Sequence, residues 1–218
     1  LDEDTVLDNA IDLWNHASDL ETLVEDLTFT ILSVDYPAVG VTIDSNRYID
    51  VHPAANWNGR SSVTIKVSDP DGLSDTDSFD VTVHAVNDPP LVSDIPDQTI
   101  EEGGTFAKIP LDNYVDDVDN ADSEITWTYS GNVKLMISIT ADRVVTVSVP
   151  SGWHGAETVT FTARDPYLLT DSDTAKFTVI VKPNVTFSWS PSYPEVGQTV
   201  TFDASASTPG SGYILNYK

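Results

Sequence analysis

Apolar and polar residues alternate at a period of two through most of this chain, the spacing of a half-buried β-strand. In the first half the pattern predicts strands in LTFTIL (27–32), VTIDS (41–45), YIDVHP (48–53), SVTIKVSD (62–69) and DSFDVTVHA (77–85). In the second half it predicts them in ITWTYS (125–130), LMISIT (135–140), VVTVSVP (144–150), TVTFTARD (158–165) and AKFTVIVK (175–182). Val, Ile, Thr and aromatic residues dominate these runs, as a pleated, packed surface requires. One stretch departs from the pattern. Between Thr5 and Leu27, the residues Leu7, Ile11, Trp14, Ala17 and Leu20 recur like a helix face. The matching region of the second half carries Pro110, so a strand with at most a helical turn is expected there.

The alternation stops abruptly in VTVHAVNDPP (81–90). A tight hairpin would call for Asn-Gly or Asp-Gly at this point. Pro-Pro cannot close such a turn or donate to a sheet ladder, and it keeps the chain extended. Asn87-Asp88-Pro89-Pro90 therefore reads as a boundary between two domains, with oxygen ligands placed at the joint.

The two halves are copies. NWNGRSSVTIKVSDPDGLSDTDSFDVTV from Asn56 aligns without a gap over 28 residues with GWHGAETVTFTARDPYLLTDSDTAKFTV from Gly152. At a spacing of 96, Trp57 falls on Trp153, Gly59 on Gly155, Asp69-Pro70 on Asp165-Pro166, Asp75 on Asp171 and Asp77 on Asp173. Upstream, IDLWNHASDLE from Ile11 matches LDNYVDDVD from Leu111 at offsets near 98–100. Each copy is long enough for a sandwich of about seven strands. Domains are expected at 1–87 and 88–182. Residues 183–218 form a third, shorter unit, in which FSWSPSYPEVGQTVTFDASAS places two strands around Pro-Glu-Val-Gly and GYILNYK starts another strand. About 36 residues are too few for an independent core. The opening Leu, with no leader pattern, adds the expectation of a piece of a longer protein.

Composition narrows the chemistry. The absence of cysteine excludes disulfides and thiolate metal sites. No apolar run is long enough to cross a membrane as a helix. A net charge of −25, from 35 acids and 10 bases, repels nucleic acid and anionic membrane surfaces. The acids concentrate in the two copies. Residues 1–86 hold 17 acids and 3 bases and residues 87–182 hold 16 and 6, but residues 183–218 hold only 2 and 1. These acids either meet a cation or solvate the surface.

VSDPDGLSDTDSFDVTVHAVNDPP and PAANWNGRSSVTIKVSD resemble the tandem cadherin-like repeats of bacterial and archaeal surface proteins. LDNYVDDVDNADSEITWTY resembles their dystroglycan-type Asp-x-Asp segment, and SPSYPEVGQTVTFDASAS resembles the opening of a PKD domain. The resemblance implies an all-β fold of Ig-like, cadherin-like Greek-key sandwiches stacked end to end. It also implies Ca²⁺ at the joint, held by Glu3, Asn87, Asp88, Asp117, Asp119 and Asp165. The ion's demand for six to eight oxygens agrees with that set, which no single short loop here supplies. Asp19, Glu21 and Asp69 of the first copy would form a second half-site facing a domain upstream. Glu101 and Glu102, the counterparts of Glu3, would face a following joint that lacks Asn-Asp. The family's usual linker has Asp and Asn where Ala85 and Pro89 stand, and its Leu-Asp-Arg-Glu segment is absent, so one ion or two are expected rather than three.

The resemblance thus implies a calcium-binding adhesion segment of a secreted or cell-surface protein. Its partners would be calcium, further domains of the same chain, and another surface protein or a glycan. Two other readings stay open: a carbohydrate-binding accessory module, and an acidic halophilic spacer without specific calcium. Trp57 and Trp153 sit beside glycines, which favours a corner or core role over sugar stacking. Asp71 and Asp77 read as turn or solvent positions, His52 and His154 as unassigned, and Asn184-Val185-Thr186 as a glycosylation triplet. No Ser-His-Asp order, phosphate loop or zinc spacing is present, so no catalytic residue is assigned and no enzymatic role is expected.

Overall fold

Each half of the chain closes around its own apolar core, fed by inward-facing residues of long antiparallel strands. The computed structural model describes residues 1–211, so the strand expected in GYILNYK lies outside the described residues. The chain divides into two compact units, Leu1–Asn87 and Asp88–Lys218.

The first unit comprises β1 (Leu7–Asp12), β2 (Thr28–Val34), β3 (Val41–Asp44), β4 (Tyr48–Val51), β5 (Gly59–Ser68) and β6 (Ser74–Val83). They form two three-stranded sheets, ordered β1-β4-β3 and β2-β5-β6. The strand with a helical turn expected in 5–27 is β1 followed by two short 3₁₀ turns, Leu13–Asn15 and Val24–Asp26. Its outer positions face water, Leu20 fully and Leu7 by nearly half. The helical spacing of those residues came from a strand running into turns. Between the sheets lie Leu13, Phe29, Val39, Ile49, Val63, Ile65, Val81 and Val83.

The second unit has β7 (Leu91–Val92), β8 (Gln98–Glu101), β9 (Ile109–Pro110), β10 (Val115–Asp116), β11 (Thr126–Ser130), β12 (Met136–Ile139), β13 (Val144–Ser148), β14 (Gly155–Arg164) and β15 (Thr170–Ile180). Its larger sheet is ordered β11-β14-β15-β8, with β8 parallel to β15, and the opposite sheet β12-β13-β9. Leu111, Leu135, Val145, Val159, Phe161, Phe177 and Val179 fill the space between. Phe177 meets Phe106 edge-on at 5.1 Å and Phe161 at 6.5 Å. Downstream, β16 (Ser188–Ser190) and β17 (Thr201–Asp203) make a two-stranded ribbon.

The repeat seen in the sequence recurs in the contacts. Trp57 and Trp153 are half-buried against their cores. A Cβ at Gly59 would lie 3.4 Å from the Trp57 ring, and one at Gly155 would lie 3.6 Å from the Trp153 ring. Those are ordinary contact distances; what calls for glycine beside each tryptophan is the backbone, at φ +144° for Gly59 and +132° for Gly155. Arg47 forks onto Asp12, at 2.9 and 2.6 Å, and Arg143 onto Asp112, at 2.6 and 2.8 Å.

Candidate functional site

Asp117 begins the turn that follows β10. Its Oδ1 accepts the backbone N–H groups of Asp119 and Asn120, at 2.9 and 2.8 Å. An Asp in this place folds the chain back on its own carboxylate, a turn that few other residues can make. The second oxygen, Oδ2, is buried and has no hydrogen-bond partner, as is the Oδ1 of Asn120. Asp119 in turn accepts the backbone N–H of Asp88 at 2.8 Å. The structure thus gathers Asp88, Asp117, Asp119 and Asn120 at one end of the second unit. Asp165 follows β14 and is only 2% exposed. Its Oδ1 accepts the Leu169 N–H at 2.8 Å, closing the 165–169 turn. Pro90 is fully buried while Pro89 stays exposed, so the chain packs into this unit from Pro90 onward.

The first unit repeats this chemistry. Asp19 accepts the N–H groups of Glu21 and Thr22, both at 2.8 Å, and those bonds hold its carboxyl below the usual carboxylate range. Asp69 accepts the Leu73 N–H at 2.9 Å, as Asp165 does for Leu169. Glu21 is exposed. Glu3 is 3% exposed and accepts the Val86 N–H at 2.7 Å and the Asn58 side-chain amide at 3.2 Å. Asn87 ends the unit, partly buried. Glu102 donates its N–H to Ile180 at 2.8 Å, as Glu3 does to His84 at 3.0 Å, which makes them counterparts. Glu101 instead pairs with Lys182 at 2.6 Å.

Among the described residues, no group of three or more His, Asp or Glu side chains is arranged as a metal centre. What the second unit offers is a set of oxygen donors, two of them buried with nothing to accept from. That chemistry suits a hard cation and gives nothing to a soft one. Asn120 was not read from the sequence as part of this set, although it lies one residue beyond the Asp-x-Asp pair. His52, left unassigned in the sequence, contacts Asp8 at 2.6 Å. The first unit also contains an open groove of about 860 Å³, bounded partly by Asp19 and Asp69. No helix among the described residues is long and apolar enough to cross a membrane.

A family model described as bacterial Ig domain matches residues 1–82 and again 87–180. No match was found among curated proteins. Solved structures similar to the chain include the human Desmocollin-1 ectodomain, at 15% identity over 79% of this chain and 38% of that one, with a TM-score of 0.37. They also include Protocadherin Gamma B7 extracellular cadherin domains 1-4, at 19% identity over 71% and 40%, with a TM-score of 0.39. Human mucin-like protocadherin EC1-2 matches at 16% identity over 72% and 85%, with a TM-score of 0.41. The chain spans about two fifths of the length of the first two.

Proposed function

The chain belongs to the bacterial Ig domain family, with two tandem copies, and from that premise we propose that it is a calcium-binding spacer of an extracellular adhesion protein. The observation that supports this reading is Asp117. One of its oxygens is locked by two backbone N–H groups, and the other is buried without a donor. A buried carboxylate oxygen left unpaired costs free energy that a bound cation would remove. Asp88, Asp119, Asn120 and Asp165 would supply further oxygens, and Ca²⁺ is the common extracellular ion that accepts so many. Glu3 and Asn87 are the ligands that the cadherin-like resemblance adds. Holding Asp88 would fix the start of the second unit where the chain leaves Asn87, turning a linker into a stiffer rod. Extracellular calcium modules bind at roughly 10⁻⁴–10⁻³ M. At ten times the dissociation constant, one ion adds about 1.4 kcal/mol to the bound arrangement.

The test is calorimetric titration of the chelated full chain with Ca²⁺, with a thermal melt and small-angle scattering at each end point. Saturable binding that is lost in Asp117→Ala with Asp119→Ala, and weakened in Glu3→Gln, supports the reading. Absence of heat, together with stability that follows total salt alone, would make the acids a solvating surface, as the net charge of −25 would also allow.

A further inference from the structure

The two copies treat one sheet edge differently. β2 and β11 are counterparts, with Phe29 on Trp127, and each is the outermost strand of its sheet, beside β5 or β14. An outermost strand presents a row of unpaired backbone groups, which proteins ordinarily blunt. The first copy does so twice. Asn46 accepts the Phe29 N–H and donates its amide to the Leu27 carbonyl, both at 2.8 Å. A register shift between Ile31 and Ser33 then breaks the line of the strand. The second copy does neither. β11 pairs with β14 without a shift from Thr126 to Ser130. The place of Asn46 is taken by Asp142, which is exposed and has no amide to donate. Among the described residues, no side chain accepts the Trp127 N–H.

The register shows which groups this edge offers. Asp165 donates its N–H to Leu169 across the turn between β14 and β15, so alternate residues of β14 bond to β15, and Arg164, Thr162 and Thr160 bond to β11. Their partners are Thr126, Thr128 and Ser130. Trp127 and Tyr129 therefore turn their N–H and C=O groups outward, as Phe29 does where Asn46 meets it. The Tyr129 hydroxyl donates to the Ile137 carbonyl at 2.9 Å, which takes the ring toward β12 and leaves the groups in the plane of the sheet clear. The strand itself, TWTYS, has no charged residue in a chain of net charge −25. Thr126, Thr128, Tyr129 and Ser130 are exposed, and so are the apolar side chains of Val133 and Met136 that follow.

We propose that β11 is a self-docking edge, through which two copies of this chain pair antiparallel about a two-fold axis at Thr128. Trp127 of each copy exchanges backbone hydrogen bonds with Tyr129 of the other, and the two Thr128 side chains meet across the axis. Charge selects this occupant. A second copy repels the first over most of its acidic surface and least along an uncharged strand. Asp122 and Glu124 stand just before the strand and Lys134 just after it, so antiparallel pairing brings the acids of one copy towards the base of the other. The two-fold uses the same patch on both copies and satisfies the outward groups of both residues.

The test is sedimentation of the full chain in chelator across a concentration series, with amide exchange read at each concentration. The expected result is a dimer at high concentration, favoured by added NaCl. In it the Trp127 and Tyr129 amides exchange about tenfold more slowly than in the monomer, while Thr128, already bonded to β14, is unchanged. Thr128→Lys and Thr128→Asp are each monomeric, because like charges then face each other, and mixing the two variants restores the dimer. Asp142→Asn, which supplies the cap that Asn46 gives the first copy, weakens association. A chain that stays monomeric overturns the proposal, as does a dimer whose Trp127 and Tyr129 amides exchange at the monomer's rate, or one that survives in each Thr128 variant alone. Should the Thr128 variants melt below the parent chain, Asp142→Asn decides, and unchanged association in it overturns the proposal.

Discussion

Truncating Phe177 to Ala removes the ring at the centre of the second core. The side chain is 0% exposed and lies edge-on to Phe106 at 5.1 Å and to Phe161 at 6.5 Å. Deleting a buried Phe costs about 3–5 kcal/mol once the cavity is counted, a figure that already contains the two ring contacts. The same position of the first copy holds Val81, 8% exposed and without an aromatic neighbour among the ring pairs. Val81→Ala deletes two carbon groups at about 0.8 kcal/mol each, about 1.5 kcal/mol in all. A unit of this size has about 5–14 kcal/mol of stability, so both variants still fold. With a urea slope of about 1–2 kcal/mol per molar, the second unit's midpoint falls by roughly 2–4 M in Phe177→Ala and the first unit's by roughly 1 M in Val81→Ala. The assay is urea unfolding of the full chain, with amide exchange assigning each transition to its unit. Equal losses in the two variants, or a loss under about 1 kcal/mol in Phe177→Ala, would refute the claim that each copy rests on its own core.

Glu157 clamps the loop between β11 and β12 by accepting the N–H groups of Val133, Lys134 and Leu135 at 2.9, 2.7 and 3.1 Å. Partial burial pushes its carboxyl up, but the three bonds outweigh it and hold the group below its ordinary 4.5, so its contribution is present above that pH and fades as acid titrates the folded form. Glu157→Gln should therefore flatten the acid side of the second unit's stability profile, measured by melts between pH 7 and 3. Gly40→Ala should unfold the first unit or strongly destabilise it. Its backbone is left-handed at φ +66°, worth roughly 1–2 kcal/mol against Ala, and a Cβ there would sit 1.7 Å from the His52 carbonyl oxygen; circular dichroism against Gly72→Ala, which has open space around it, checks this. Asp173→Ala should cost roughly 1–3 kcal/mol by orphaning the Ile95 N–H, whereas Asp77→Ala should stay within about 0.5 kcal/mol as an ordinary surface change, both read from chemical denaturation.

The long hairpin strands were legible because alternation persists over enough residues to define a face. All ten strand runs read from the pattern correspond to strands. The strand expected in 5–27 is β1, and the pieces missed, β7, β8, β9 and β10, are short segments whose pairing is decided by the strand beside them. Two residues, as in Leu91–Val92, carry no period at all. The acids at Asp117, Asp165, Asp19 and Asp69 were legible for a different reason. Each closes a turn on its own backbone, so its identity is fixed locally and survives in both copies. The Arg–Asp forks were missed because the partners sit at different offsets, 100 for Asp12 and Asp112 but 96 for Arg47 and Arg143.

Asp75 and Asp77 show where such reading stops. They match Asp171 and Asp173 in residue type and in register, and sequence alone assigns Asp77 to a turn or to solvent. In the first unit that reading holds, since the carboxylate reaches only the next N–H. In the second unit the corresponding carboxylate accepts the Ile95 N–H at 2.7 Å. The side chain is the same, but the Ile95 N–H that it accepts in the second unit belongs to a stretch outside the gap-free 28-residue repeat. A repeat fixes which groups are presented at each position. What they bind depends on chain outside the repeated stretch, and comparing two copies of one sequence exposes that dependence without reference to any other protein.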